Sequence, residues 1–167
     1  MEIDMNILPF EEDYIISDKM IPFRQKSIVE VADEIEEQWE NNGNFYIDVN
    51  WNTKGGFKTI SERTGKTVSF HGVPGIYAFY KEGRIVYIGC TTRSIGTRIS
   101  RYIKEVRFLS GKRESHPGGH KHRLHYKKDN LSNMHMIFTE DHSSLLNLEK
   151  YEKELIRRRR PLFNEEK

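Results

Sequence analysis

The chain has 167 residues, of which 36% are hydrophobic and 31% are charged. This size suits one compact domain, or a small catalytic domain with an elaboration, and excludes a large multidomain assembly. The single cysteine, Cys90, excludes an internal disulfide and a cysteine-rich zinc site. No apolar run of about 18 residues is present, and the first ten residues are acidic where a signal peptide would be basic. We therefore expect a cytoplasmic protein with no membrane partner.

The net charge of +2 conceals an uneven distribution along the chain. Residues 1–70 contain 14 acidic and 7 basic side chains, whereas residues 71–167 contain 11 acidic and 20 basic ones. The two parts therefore carry −7 and +9. A basic segment of this size fits a polyanionic partner such as nucleic acid, or else a solvated basic surface, and charge alone favours neither.

The first 70 residues contain two predicted elements. Residues 26–41 place apolar side chains at helical spacing between acidic ones, which predicts an amphipathic helix with an acidic outer face. Residues 45–51 predict a strand, and residues 53–67 are rich in glycine and threonine in the manner of loops or short hairpins. We interpret residues 1–72 as an N-terminal elaboration that supports a dimer or clamps DNA.

The remaining elements follow in the order β-β-α-(α)-β-α. Residues 75–81 and 84–90 predict strands joined by a tight turn at Glu82-Gly83, and residues 94–109 predict a basic helix. A loop is expected over residues 110–123, with a short helix allowed at 124–129, a third strand at 133–140 and a last helix at 143–160. This order predicts an α+β fold with a small three-stranded antiparallel sheet flanked by helices.

Two tripeptides on the paired strands stand out, Gly75-Ile76-Tyr77 and Tyr87-Ile88-Gly89. They are followed in order by Arg98, Tyr102, Glu152 and Asn164. The pattern over residues 73–164 resembles the signature of the GIY-YIG nuclease family. The resemblance implies a nuclease domain at residues 73–167 that hydrolyses DNA phosphodiester bonds with a divalent metal.

The resemblance also implies a role for each matching residue. A tyrosine, Tyr77 in the first place and Tyr87 in support, assists removal of a proton from the attacking water. Arg98 binds the non-bridging phosphate oxygens, Glu152 holds Mg²⁺ or Mn²⁺, and Asn164 ties the chain to the wall of the site. The catalytic set is therefore Tyr77, Tyr87, Arg98, Tyr102, Glu152 and Asn164.

The spacing of these residues agrees with such roles. Arg98 and Tyr102 lie four residues apart, so they share one helix face and could both reach a phosphate over the sheet. Glu152 follows Leu145 and Leu148 along an apolar stripe, and a carboxylate placed there requires a cation. Mg²⁺ takes one or two carboxylates together with water and phosphate oxygens. Glu149, one turn earlier, is an alternative ligand.

Other side chains in this region admit two interpretations. Cys90 follows Gly89 where repair enzymes of the family often carry lysine, and we interpret its thiol as a packing group in preference to a nucleophile. Residues Arg157 to Arg160 either complement the helix dipole or contact phosphate. The histidines at 116, 120, 122 and 125 suggest zinc, but their spacing is irregular.

We therefore interpret residues 110–128 as a basic insertion that recognises DNA. The candidate DNA-binding residues, on the helix and in this insertion, are Arg93, Arg101, Lys104, Lys112, Arg113, His120, Lys121, His122, Arg123 and Lys127.

The small size favours an autonomous nuclease that resembles the type II restriction endonucleases of the family. Such an enzyme would cut double-stranded DNA as a homodimer, because one active site meets one strand at a time. The alternatives are a structure-selective nicking endonuclease of phage or repair metabolism and, least favoured, a non-catalytic DNA-binding module.

Overall fold

The computed structural model describes residues 26–49, 56–107, 116–127 and 131–164. It contains two compact units, Met1–Glu30 and Val31–Lys167. In the first unit, Ser27 and Glu30 form a capping box: the Ser27 amide donates to the Glu30 carboxylate at 2.8 Å, and the Glu30 amide donates to the Ser27 hydroxyl at 3.1 Å. The helix predicted at 26–41 follows as α1, Ile28–Asn42.

The second unit is built on a five-stranded antiparallel sheet with the order β2-β1-β5-β3-β4. The strands are β1 (Phe45–Val49), β2 (Phe57–Ser61), β3 (Gly75–Lys81), β4 (Arg84–Thr91) and β5 (Met134–Glu140). The predicted α+β class is confirmed, but the three-stranded sheet is wrong. The β1–β2 hairpin pairs with β5 through Phe45–Met136 and its neighbours and so extends the sheet.

The turn between β3 and β4 is the tight one predicted at Glu82-Gly83. Both residues have positive φ, 55° and 78°, which matches the right-handed twist of a two-residue hairpin. This hairpin places Tyr77 opposite Gly89 and Phe79 opposite Tyr87.

Both outer strands are covered, which protects the sheet from edge-to-edge pairing. On β2, the Val68 amide donates to the Thr59 carbonyl at 2.7 Å. On β4, the Phe163 amide donates to the Val86 carbonyl at 2.8 Å, and the Asn164 side chain binds the Ile88 backbone. The end of the described chain thus runs along the strand that carries the second tripeptide.

Three more helices lie within the described residues: α2 (Ile95–Arg107), α3 (Pro117–Tyr126) and α4 (Leu145–Arg159). The loop expected over residues 110–123 is wrong from Pro117 onward. The His116 side chain accepts from the Gly119 amide as the N-cap and Pro117 occupies the first turn, so a sequence with two glycines still begins a helix. Residues 108–115 lie outside the described part of the chain.

The two sheet faces have separate cores. One joins α2 to aromatic side chains of β1, β3 and β5, and the other joins α1 and α4 to small and aliphatic side chains of β3 and β4. On the second face, the Asn42 amide group donates to the Phe138 carbonyl at 2.8 Å and the Trp39 indole donates to the Ile76 carbonyl at 3.4 Å. These bonds attach α1 to the sheet.

The arginines at the end of α4 take part in ion pairs with acidic side chains. Arg158 contacts Asp33 at 2.9 Å and Glu36 at 2.8 Å, and Arg159 contacts Glu36 at 2.6 Å. Arg157 pairs with Glu154 of its own helix at 2.7 Å. The acidic face predicted for α1 therefore binds α4.

Among the residues described, no helix is long and apolar enough to cross a membrane. The division into residues 1–72 and 73–167 stays a prediction, while β1 and β2 belong to the same sheet as β3, β4 and β5.

Candidate active site

Gly89 leaves room for the side chains of Tyr77 and Tyr87 because it has no side chain of its own. A Cβ atom built on Gly89 would stand 2.5 Å from the Tyr77 hydroxyl and 3.0 Å from the Tyr87 ring. The Tyr77 hydroxyl therefore lies directly against the backbone of β4. Any larger residue at this position would displace it, which explains why the second tripeptide ends in glycine.

Tyr77 is a buried residue with 1% of its surface exposed. Burial raises its pKa well above the ordinary value of 10, and the charges of Tyr87, Glu152 and Cys90 add to this, while Arg98 opposes it. Its phenol therefore stays protonated at neutral pH. The role of proton acceptor predicted for Tyr77 finds no support in this environment.

Tyr87 is partly exposed, in contrast to Tyr77. Its ring centroid lies 6.1 Å from Phe79, 5.6 Å from Tyr102 and 5.0 Å from His116. A Cβ atom on Gly118 would stand 2.6 Å from two of its ring carbons. Tyr87 is therefore held between the sheet, α2 and the first turn of α3, with part of its surface left open.

Arg98 and Tyr102 share a face of α2, as their spacing predicts, but their surroundings differ. Arg98 is partly exposed and acts electrostatically on Tyr77, Cys90 and His116. Tyr102 is 1% exposed, and its hydroxyl is 2.6 Å from Nδ1 of His122. The expectation that both residues reach a phosphate is therefore corrected: Tyr102 lies beneath the site.

Glu152 approaches β4 from the opposite sheet face. It accepts a hydrogen bond from the Cys90 thiol, and burial together with Glu152 and the charge of Glu149 raises the pKa of that thiol to about 12. Cys90 thus remains a neutral thiol, which supports its interpretation as a packing residue. Glu152 is partly exposed and Glu149 exposed, so Glu152 is the better placed of the two carboxylates.

The apolar stripe that carries Glu152 begins later than predicted. Leu148 and Leu155 are fully buried, whereas Leu145 is 51% exposed. Glu152 lies between the two buried leucines, one turn after the first and one turn before the second.

Asn164 makes two hydrogen bonds to one residue of β4. Its side-chain oxygen accepts from the Ile88 amide and its side-chain nitrogen donates to the Ile88 carbonyl, both at 2.8 Å. The residue next to Gly89 is therefore fixed on both sides, as expected for a group that ties the chain to the wall of the site.

His116 is a residue whose place in the site the sequence did not indicate. It is 4% exposed, its ring lies 5.0 Å from Tyr87 and 5.1 Å from Tyr102, and its Nδ1 accepts from the Gly119 amide at 3.1 Å. Burial and the charges of Arg98 and Arg101 lower its pKa to about 4. The His116–Pro117 pair is a cap signal that could have revealed the helix start.

The candidate DNA-binding residues differ in how far their side chains are exposed. The exposed ones are Arg93, Arg101, Lys104 and Lys127, and the partly exposed ones are His120, Lys121 and Arg123. Arg123 contacts His120 at 2.9 Å and Glu105 at 4.0 Å. Lys112 and Arg113 lie outside the described residues.

His122 does not suit the DNA contact predicted for it. It is fully buried, and it makes its hydrogen bond to Tyr102 inside the protein. Its hydrogen bond to Tyr102 joins α3 to α2 instead.

Within residues 26–49, 56–107, 116–127 and 131–164, no group of three or more histidine, cysteine or acidic side chains is arranged to hold a metal. The zinc alternative for the histidines therefore lacks support there. A single partly exposed carboxylate, Glu152, fits Mg²⁺ that completes its coordination with water and substrate phosphate.

No protein-family model matches the chain, and comparison with curated proteins and with solved structures gave no match either. The family resemblance therefore depends on the residues quoted above.

Proposed function

We propose that the chain is a metal-dependent DNA endonuclease of the GIY-YIG type, with its active site around Gly89. The observation that carries the proposal is the close approach of the Tyr77 hydroxyl to Gly89, with Asn164 hydrogen-bonded to the neighbouring Ile88. Tyr77, Arg98 and Glu152 lie close enough to interact electrostatically. These residues come from β3, α2 and α4, and a phenol, a guanidinium and a carboxylate around one strand suit phosphodiester hydrolysis.

Arg98 is the group that would bind the scissile phosphate. It is partly exposed and acts electrostatically on Tyr77, and guanidinium matches the geometry of two phosphate oxygens. Negative charge grows on these oxygens as water attacks phosphorus, so a fixed cation lowers the barrier.

Tyr87 is the better candidate for orienting the attacking water and accepting its proton. Its partial exposure allows contact with water, whereas Tyr77 is buried. A tyrosine accepts a proton only as phenolate, a form that the positive charge of Arg98 and of a cation on Glu152 would stabilise. Tyr77 then acts as a hydrogen-bond donor behind the reacting groups.

Glu152 would hold Mg²⁺ or Mn²⁺, with Glu149 as the alternative ligand one turn away. When bound, the cation stabilises the leaving oxygen as a Lewis acid. The Cys90 thiol, which donates to Glu152, holds the carboxylate at the edge of β4.

A basic surface next to this site supports duplex DNA as the partner. Arg101 and Lys104 lie on α2 and Arg93 just before it, while Lys121 lies on α3 and Lys127 directly after it. Contacts from such residues to phosphates give affinity without sequence preference. We further propose a site-specific type II restriction endonuclease that acts as a homodimer, because a symmetric double-strand cut requires two active sites.

Digestion of supercoiled plasmid with Mg²⁺, compared with a digestion in EDTA, tests the activity. We expect discrete, reproducible linear fragments with Mg²⁺ and no cutting in EDTA. Accumulation of nicked circles alone would favour the structure-selective nicking enzyme. Intact plasmid at all enzyme concentrations, with either Mg²⁺ or Mn²⁺, would favour a non-catalytic DNA-binding module and contradict the proposal.

A further inference from the structure

We propose that His116 is a positioning residue for Tyr87, and that this role is separate from its capping of α3. The inference rests on the proposed function, because Tyr87 is the tyrosine to which the reaction was assigned. It concerns a histidine that the motif does not include.

The capping role is visible in one hydrogen bond. The Gly119 amide donates to Nδ1 of His116 at 3.1 Å, which satisfies one of the free amides in the first turn of α3. Because Nδ1 accepts, the proton of the neutral imidazole is assigned to Nε2.

The positioning role is visible in the packing of the ring. The imidazole centroid lies 5.0 Å from the ring centroid of Tyr87, with an angle of 62° between the ring planes. For Tyr102 the distance is 5.1 Å and the angle 79°, so both contacts are edge-on. Gly118 allows this contact, since a Cβ atom there would stand 2.6 Å from the Tyr87 ring and 3.2 Å from Cε1 of His116. The imidazole and Gly118 together form the wall against which Tyr87 rests.

The neutral state of the ring suits this position. Arg98 and Arg101 act on His116 from α2 and disfavour a further positive charge, while Glu105 has the opposite effect. A neutral imidazole therefore packs beside Tyr87 without competing with Arg98 for phosphate.

Two substitutions separate the two roles. His116→Asn retains a side-chain acceptor for the cap but removes the ring, because asparagine is among the best N-cap residues. His116→Phe retains a flat ring beside Tyr87 but removes the acceptor.

We expect His116→Asn to keep a Tm close to that of the wild type and to lose kcat by about tenfold or more, with KM for DNA unchanged. His116→Phe should have a lower Tm but a kcat closer to wild type than that of His116→Asn. If His116→Asn cuts at the wild-type rate, or if kcat follows Tm across both variants, His116 is only a cap and the inference is wrong. Where His116→Phe does not fold, the His116→Asn result decides alone.

A measurement that needs no catalysis distinguishes this inference from the proposed function. The ring-flip rate of Tyr87, followed by NMR with ring-labelled tyrosine and assigned with Tyr87→Phe, should rise in His116→Asn. An unchanged flip rate would contradict the positioning role. Absence of cleavage by the wild-type protein would contradict the proposed function and leave the flip-rate result to decide on His116.

Discussion

The two faces of the sheet differ in what they bury. The face under α2 and α3 buries tyrosine and histidine side chains, among them the hydrogen-bonded Tyr102–His122 pair at 2.6 Å. The face under α1 and α4 buries small and aliphatic side chains such as Ala32, Ile76 and Leu148, with ion pairs along its rim.

This difference indicates that the two faces have different roles. Buried polar groups are costly unless they are fully hydrogen-bonded, so a core that carries several of them specifies one arrangement of rings. An apolar core tolerates exchanges of similar volume. We therefore expect the first face to set the geometry of the groups proposed to react, and the second to support the sheet and carry Glu152.

Overpacking each face by a small amount should give opposite results for activity. Gly89→Ala places a methyl group against the Tyr77 hydroxyl, and we expect a loss of kcat of about 100-fold. Ala78→Val enlarges the opposite face of the adjacent strand β3, and we expect it to cost about 1–3 kcal/mol of stability while kcat per folded molecule is retained.

Plasmid cleavage rates, normalised to the folded fraction from thermal melts, measure both variants. Equal losses of kcat in Gly89→Ala and Ala78→Val would contradict the different roles expected for the two faces.

Acid should lower the stability of the folded protein by protonating His116. Its pKa is about 4 in the folded protein, against 6.5 for a free side chain, so the unfolded chain binds more protons between these values. Stability therefore falls as the pH drops from 6.5 to 4, by an amount on the order of 3 kcal/mol from this residue.

His116→Asn is the matched control, because asparagine does not titrate. Denaturant unfolding of both proteins at pH 7, 6, 5 and 4 measures the effect. As the pH falls, the free energy of unfolding of the wild type should decrease more than that of His116→Asn. A difference between the two proteins that stays constant with pH would contradict the burial of a neutral His116.

Local patterns predicted most of the elements. The Glu82-Gly83 turn and the helical spacing of apolar residues define the β3–β4 hairpin, α2 and α4 to within about two residues. The pairing of β1 with β5 could not be predicted, because it joins segments about 90 residues apart and leaves no local signal. The short helix allowed at 124–129 is the end of α3, and its earlier residues were expected to be a loop because Gly118 and Gly119 are typical of loops. In the fold these glycines allow close packing on Tyr87 and α2.

The sequence named the residues of the candidate site but could not indicate which of them are buried. The spacing of Arg98 and Tyr102 correctly places both on one helix face, yet burial of Tyr102 and Tyr77 depends on α3 and on Gly89. Periodicity cannot indicate which of two tyrosines remains exposed. The role of His116 likewise depends on tertiary contacts.

Cleavage by the matched pair Glu152→Gln and Glu149→Gln tests the central claim most directly. Both changes remove one negative charge with little change in shape, on residues one turn apart on α4. In a Mg²⁺-dependent plasmid assay we expect Glu152→Gln to lose about 100-fold or more in kcat and Glu149→Gln to stay near the wild-type rate. Wild-type cleavage by Glu152→Gln would contradict the active site proposed around Gly89.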